Sequence, residues 1–159
     1  NYSAERLTEA LDISEQDGLA RYSVLQPHYN LVERDEFEGP LQAVASTRGL
    51  GVLPYFGLAM GFLTGKYRSA DDAGKSVRGG RAVKYLDERG LRVLATLDDI
   101  AAETGATQAQ VALAWTAARP GVTAPIASAT SLEQLEDLIG VMTLDLSTEQ
   151  VERLTEASA

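Results

Sequence analysis

The chain has 159 residues, of which 45% are hydrophobic and 23% are charged, the composition of one ordinary globular domain rather than of a disordered segment. With no cysteine and a single histidine, it can form neither a disulfide framework nor a thiolate or multi-histidine metal site. The net charge of −9 argues against a nucleic-acid partner. No apolar run approaches the ~18 residues that cross a bilayer, and no secretory signal is present, so we expect a cytoplasmic protein with no membrane partner.

Taken in chain order, three short apolar runs alternate with helical patterns, which indicates β–α units and a parallel sheet. The runs GVLPY and TAPIA are continuously apolar rather than alternating, as expected for strands covered on both faces. Because a β/α barrel needs about eight strands, three strands predict either a small open sheet or part of a larger barrel. The predicted strands are Tyr22–Gln26, Gly51–Tyr55 and Val122–Ala127.

Helix starts are marked by capping residues, and helix ends by Gly or Pro. Three of the starts have a Gln three residues after the Ser or Thr, which is the spacing of a capping box. The predicted helices run from Ser3 to about Asp17, from about Pro40 to Arg48, from Val83 to about Glu103 with a break at Gly90, and onwards from Thr107, Ser131 and Ser147.

The segment Gly49–Tyr67 (GLGVLPYFGLAMGFLTGKY) leaves the second predicted strand through a loop that is rich in glycine yet apolar. Such a loop indicates backbone that lies close against something flat, either another part of the protein or a ligand. A Walker phosphate loop is excluded, because three residues rather than four separate Gly61 from Gly65 and because Tyr67 follows Lys66.

A basic segment follows this loop. Eight of the fourteen basic residues lie between Lys66 and Arg92, opposed by four acidic residues, so the local charge is about +4. A small polyanion such as a nucleotide is one partner for this segment, and a solvated surface loop is the alternative reading.

Six segments together resemble the C-terminal half of an aldo-keto reductase: NYSAERL, LQPHYNLVER, GVLPYFGLAMGFLTGKYR, RGLRVL, ATQAQVALAW and VTAPIASATSLEQLEDL. The resemblance covers the chain in the right order. It implies an α/β fold, a (β/α)8 TIM barrel that binds NADP(H) at its C-terminal face, of which residues 1–159 supply roughly strands six to eight with their flanking helices. Because the chain begins at Asn1 without an initiator Met, we expect a fragment whose N-terminal half is missing.

The resemblance also implies a role for each matching residue. Asn1 and Gln26 match the side chains that hydrogen-bond the nicotinamide carboxamide, and Tyr55 matches the aromatic that stacks on the nicotinamide ring, for which a ring face is a good platform. Arg78 or Arg81 could pair with an anionic oxygen. Phe56, Gly57, Leu58, Gly61, Thr64 and Lys66 match the loop over the pyrophosphate, and Ser128, Thr130, Gln134 and Asp137 match the adenosine end, next to the free N–H groups of a helix that begins after Ser131.

The sequence departs from the family pattern near the cofactor. Phe56-Gly57 stands where many relatives have Ser-Pro, and Leu138 replaces a frequent Asn that contacts adenine. The basic residue that often holds the 2′-phosphate is absent from Ser128 to Asp137. The resemblance therefore implies NADP(H), with NAD(H) as the alternative.

In this family the catalytic Asp, Tyr, Lys and His lie in the N-terminal half, and for His28 we expect a structural or rim role. We therefore expect the parent protein to reduce aldehydes or ketones with NAD(P)H, and this chain alone to be inactive. The alternative is a non-catalytic nucleotide-binding or assembly module, similar to the potassium-channel β-subunit branch. In either case we expect an open barrel edge to pair with the missing half or to self-associate.

Overall fold

The computed structural model describes residues 1–159. Its sheet has two short parallel strands, β1 (Val24–Leu25) and β2 (Gly51–Val52), with Val24 opposite Gly51 and Leu25 opposite Val52. Both lie inside predicted strands, so the parallel pairing and its location are confirmed. The strands are shorter than predicted because Pro27 has no N–H with which to continue the ladder.

The pairing resumes one step beyond this proline. The Tyr55 amide donates to the Pro27 carbonyl at 3.0 Å, and an isolated parallel bridge joins Tyr55 to His28. The chain after β2 is therefore still fixed to the chain after β1 at the point where Tyr55 begins the glycine-rich loop.

The third predicted strand is wrong, because Val122–Ala127 forms no strand. The segment lies beside β2, and the amides of Thr123 and Ile126 donate to the carbonyls of Val52 and Pro54, at 2.8 Å each. In a regular parallel ladder the amide of residue 125 would donate to the Pro54 carbonyl, but Pro125 has no N–H. Pro54 also has no N–H, so it cannot donate a hydrogen bond to the neighbouring segment.

Helices make up most of the remaining structure, and the helix starts predicted from capping residues are confirmed. Ser3, Thr107, Ser131 and Ser147 each accept a hydrogen bond from an amide in the first turn. Asp87, which was not predicted as a cap, does the same for the helix that begins at Glu88. The α-helices are α1 (Ala4–Gln16), α2 (Pro40–Thr47), α3 (Gly79–Ala82), α4 (Glu88–Thr104), α5 (Gln108–Ala117), α6 (Leu132–Ile139) and α7 (Thr148–Ala157), with 3₁₀ segments at Ala59–Thr64, Ala70–Lys75, Val83–Tyr85 and Gly140–Thr143.

Two details of the helix predictions are wrong. The break between the 3₁₀ turn and α4 falls at residues 86–87 rather than at Gly90, because the Asp87 carboxylate caps the helix by accepting from the Gly90 amide at 2.7 Å. The capping box at Ser131 is only half formed. Its Gln134 side chain accepts instead from the amide and the hydroxyl of Thr130, at 2.9 and 3.0 Å.

The core packs α4, α5 and α7 against the loop that follows β1, with Trp115 of α5 fully buried at its centre. A polar cluster fixes this loop. The Tyr29 hydroxyl donates to Glu38 at 2.6 Å, and Arg34 donates to Glu38 and to the Thr155 carbonyl of α7 at 2.8 Å. None of the helices combines the length and the apolar content that crossing a bilayer requires.

Candidate functional site

A cleft of about 980 Å³ opens beside the chain that follows β2. Its volume lies at the upper end of the range for small-molecule pockets, about 300–1,000 Å³. Four stretches of chain that are distant in sequence form it: residues 55–66, residues 75–78, residues 107–109 and residues 126–138. The cleft brings together twelve of the fourteen predicted site residues: Tyr55, Phe56, Gly57, Leu58, Gly61, Thr64, Lys66, Arg78, Ser128, Thr130, Gln134 and Asp137.

Two aromatic rings stand at one end of the cleft. The ring of Tyr55 stacks on His28, with centroids 5.2 Å apart and planes 20° apart, while Phe56 meets the same imidazole edge-on at 5.6 Å. Tyr55 is half-buried and Phe56 is exposed. Because one side of Tyr55 is held by His28, its orientation is fixed before any ligand arrives, as a stacking platform requires.

The loop after Tyr55 has an unusual backbone. Phe56, Ala59 and Met60 all have positive φ, at 55°, 47° and 59°, a region that costs side-chain-bearing residues about 1–3 kcal/mol each. Fully buried Asn30 supports the first of them, because its Nδ2 donates to the Phe56 carbonyl at 3.0 Å. Strain of this kind is concentrated at binding sites, where the surrounding structure holds it in place.

The cleft is positively charged although the chain is acidic. Its charged lining residues are Lys66, Lys75, Arg78 and Asp137, which is three cations less one carboxylate, a net +2 against −9 for the whole chain. Lys75 is paired with Asp72 at 2.8 Å, but neither Lys66 nor Arg78 makes an ion pair. Within the basic segment, these two cations therefore line the cleft without an acidic partner. Lys66 lies over the ring of Tyr67 at 5.2 Å, and Arg78 lies over the ring of Phe56 at 5.9 Å.

Polar groups line the other end of the cleft, at the start of α6. The Ser131 hydroxyl accepts from the Gln134 amide at 3.2 Å, so the amides of the first helical turn lie at this end. Asp137 is fixed from α5, since its carboxylate accepts from the Thr107 hydroxyl at 2.9 Å and its carbonyl accepts from the Gln110 side chain at 2.7 Å. This end of the cleft therefore presents both hydrogen-bond donors and acceptors.

The remaining two predicted residues, Asn1 and Gln26, do not line the cleft. They share a smaller hollow of about 230 Å³ with His28. Both side chains are exposed, and the His28 Nε2 atom is buried without a hydrogen-bond partner. Their contact with a nicotinamide stays a prediction, as do the roles of the twelve residues in the cleft.

Nine lining residues were not among the predicted site residues, although Leu138 had been placed at the position of an adenine-contacting Asn. Met60 lies within the loop already singled out, and Lys75 lies within the basic segment, so patterns in the sequence could have indicated both. Thr107 had been noted only as a helix cap, and nothing in the sequence joins it to this cleft. The nine are Met60, Lys75, Ser76, Val77, Thr107, Ala109, Ile126, Ala127 and Leu138.

A parallel sheet whose strands lead into an aromatic, positively charged cleft is the arrangement of an α/β protein with a candidate small-molecule site. The profile of the aldo/keto reductase family matches residues 1–159, and the chain belongs to that family. The expected family is thereby confirmed. Members of the family have the (β/α)8 fold and generally bind nicotinamide cofactors, usually NADP(H); the sheet described above is not a closed barrel.

Curated relatives carry two kinds of name. The chain is 35% identical over 156 residues to a rice protein named probable voltage-gated potassium channel subunit beta, an alignment that covers 94% of this chain and 48% of the relative. It is 31% identical over 162 residues to an L-glyceraldehyde 3-phosphate reductase of Escherichia coli O157:H7, covering 97% and 46%. It is 33% identical over 149 residues to protein tas of Escherichia coli K12, covering 92% and 43%. The chain thus spans about half the length of the curated relatives it matches.

Proposed function

We propose that this chain is the C-terminal cofactor-binding portion of an NADP(H)-dependent aldo-keto reductase that reduces aldehydes or ketones. One observation carries the proposal: an acidic chain concentrates two unpaired cations, Lys66 and Arg78, in a cleft that also presents the fixed ring of Tyr55. The cations match the pyrophosphate and the ring matches the nicotinamide. On this proposal residues 1–159 supply strands six to eight of a single barrel domain.

The roles follow from position within the cleft. Tyr55 would carry the nicotinamide on the face away from His28. The loop from Phe56 to Lys66 would lie along the pyrophosphate, and Thr130 and Gln134 would meet the adenosine end. When bound, the cofactor supplies a hydride for a carbonyl carbon, and this chain's contribution is to bind and orient the cofactor.

Binding of NADP⁺ to the 159-residue chain, measured by isothermal titration calorimetry, tests the proposal, with NAD⁺ as the second ligand. Arg78→Gln should weaken binding about tenfold or more, because a charge-assisted hydrogen bond contributes about 1.5–3 kcal/mol. Arg81→Gln is the matched control, since Arg81 is exposed but does not line the cleft. Equal losses in both variants, or no binding by the unmodified chain, would contradict the proposal.

We expect the chain alone not to oxidise NADPH in the presence of an aldehyde. The tyrosines facing or near the cleft, Tyr55 and Tyr67, contact His28, Ser76 and the Lys66 ammonium and have no carboxylate partner for acid catalysis. Turnover by the pure chain, followed at the absorbance of reduced nicotinamide, would overturn this expectation. A cytoplasmic location also stays a prediction.

A non-catalytic nucleotide-binding or assembly module is the second candidate. It is favoured by the rice relative and by an Arabidopsis thaliana relative, 33% identical over 141 residues, which is also named probable voltage-gated potassium channel subunit beta. The two candidates differ in chemistry. A protein that contains this chain and binds NADP(H) but reduces no carbonyl compound supports the second, and measurable reduction supports the first.

Exposed apolar residues support a macromolecular partner in either case. The β1 edge exposes Val24 and Tyr22, and α6 has no buried residue although Leu132, Leu135 and Ile139 follow one helical face. We propose that the complementary half of a barrel covers these surfaces. Sedimentation of the chain alone should then show self-association, and a monodisperse monomer with a cooperative melt would count against it.

A further inference from the structure

Tyr67 lies beneath the cleft without lining it, and it is fully buried. Its ring lies below the Lys66 ammonium, whose Nζ is 5.2 Å from the ring centroid. Its hydroxyl is 2.7 Å from the hydroxyl oxygen of Ser76. One buried side chain thus touches the first unpaired cation of the cleft directly and reaches toward the segment that carries the second.

The hydrogen bonds continue from Ser76 to Arg78. The Ser76 Oγ accepts from the Arg78 amide at 3.2 Å. A serine hydroxyl has one proton and two acceptor positions, so it can bond Tyr67 and the Arg78 amide together. Between them Val77 is fully exposed, and the Arg78 side chain is exposed too, so neither packs into the core. The Arg78 guanidinium lies over the Phe56 ring at 5.9 Å, and the Arg78 amide is held by Ser76, which the Tyr67 hydroxyl bonds in turn.

We propose that Tyr67 is a positioning residue that sets the places of Lys66 and Arg78, and with them the anion-binding part of the cleft. It acts by two separate routes, a cation–π contact to Lys66 and a hydrogen bond through Ser76 to the Arg78 backbone. The ligand it serves is the phosphate-bearing part of the cofactor, so this inference rests on the proposed function. Tyr67 itself would not touch that ligand.

Tyr67→Phe separates the two routes, because it keeps the ring under Lys66 and removes only the hydroxyl. Hydrogen exchange of the 76–82 peptide, followed by mass spectrometry without any cofactor, should become faster, since the Ser76 acceptor of the Arg78 amide loses its support. The Kd for NADP⁺ should rise about three- to tenfold, the loss expected for one hydrogen bond. Ser76→Ala removes this link and also the acceptor of the Arg78 amide, so both effects should be at least as large as in Tyr67→Phe.

The matched control is Tyr85→Phe. Its hydroxyl also makes one hydrogen bond to a side chain, Glu33 at 2.9 Å, but away from the cleft. This variant should leave both exchange of the 76–82 peptide and NADP⁺ binding unchanged. The double variant Tyr67→Phe/Ser76→Ala should bind no more weakly than Ser76→Ala alone, because the Tyr67 hydroxyl acts only through Ser76.

Unchanged exchange of the 76–82 peptide in Tyr67→Phe would overturn the inference, and so would additive losses in the double variant. If Tyr67 had only a general structural role, Tyr67→Phe and Tyr85→Phe would both lower the melting temperature and both raise the Kd for NADP⁺. Because the exchange measurement needs no cofactor, the positioning role can be judged even if NADP⁺ does not bind. In that outcome the proposed function fails, and the exchange measurement alone decides whether Tyr67 holds the Arg78 backbone.

Discussion

Two adjacent glycines at the start of α3 lie in very different surroundings, although they belong to the same short helix. A β-carbon added to Gly79 would lie 2.0 Å from the carbonyl oxygen of Ala73, whereas one added to Gly80 meets nothing within 4 Å. Both sit in the helix without a positive φ, so backbone conformation does not separate them. Gly79→Ala and Gly80→Ala therefore form a matched pair in which only the close approach differs.

The size of the effect follows from that distance. A carbon and a carbonyl oxygen in contact are normally about 3.3–3.6 Å apart, so the backbone at Ala73 must retreat by more than about 1 Å. Overpacking of this kind costs about 1–3 kcal/mol, against which alanine gains about 0.5–1 kcal/mol of helix propensity over glycine. We expect Gly79→Ala to lower the free energy of unfolding by about 1–2 kcal/mol, and Gly80→Ala to leave it unchanged or raise it by up to about 1 kcal/mol.

Urea unfolding of the two variants beside the parent chain measures the difference. The 3₁₀ segment Ala70–Lys75 would move away from α3, and it carries the cleft cation Lys75. NADP⁺ binding should therefore weaken in Gly79→Ala and not in Gly80→Ala. Equal stability and equal Kd values for the two variants would refute the close packing of residue 79 on Ala73.

The buried polar contacts give two further predictions. Burial raises the pKa of Glu38, but hydrogen bonds from Arg34 and Tyr29 outweigh burial and hold the pKa below its ordinary value of 4.5. The ionised carboxylate therefore stabilises the folded chain above pH 4.5, and this stabilisation is lost as the pH falls through the folded-state pKa. Glu38→Gln should lower the free energy of unfolding by about 1–3 kcal/mol at pH 7, and that free energy should then fall less steeply toward acid pH, as measured by urea unfolding. An equally steep fall in the variant would contradict this role of Glu38. Asn30→Ala should lower the free energy of unfolding by about 2–4 kcal/mol, because the Val32 amide and the Phe56 carbonyl both lose a buried hydrogen-bond partner. Faster exchange at Val32 should accompany that loss, and a protected Val32 amide would contradict it.

Helix starts could be predicted from the sequence because capping is local chemistry. A Ser or Thr at the N-cap needs only an amide two or three residues later, and Thr107 and Ser147 behave as their spacing predicts. At Ser131 a nearer competitor, Thr130, takes the side chain of Gln134. The spacing of a motif cannot rank two local partners, and only the folded geometry does so.

In the candidate site, too, some residues could be predicted from the sequence, whereas others depend on contacts between distant parts of the chain. The stretch from Tyr55 to Lys66 is continuous in sequence, so a pattern of glycines and apolar residues could draw attention to it as one unit. Tyr67 and Asn30 do not line the cleft, and their effect on it depends on contacts nine and twenty-six residues away. No single-sequence pattern predicts such contacts, because they arise only when the loops pack on each other.

The missing third strand results from the chemistry of two prolines, and that chemistry also shapes the cleft. Pro125 cannot donate to β2, so the bond to the Pro54 carbonyl is made one residue later, by Ile126 at 2.8 Å. The slip puts Ile126 rather than residue 125 against Pro54, and from there Ile126, Ala127 and Ser128 all line the cleft. Ile126 lies beside the start of the Tyr55 loop, and both residues line the cleft. The residues that interrupt the ladder therefore fix where the segment leading to Ser128 meets the aromatic end of the site.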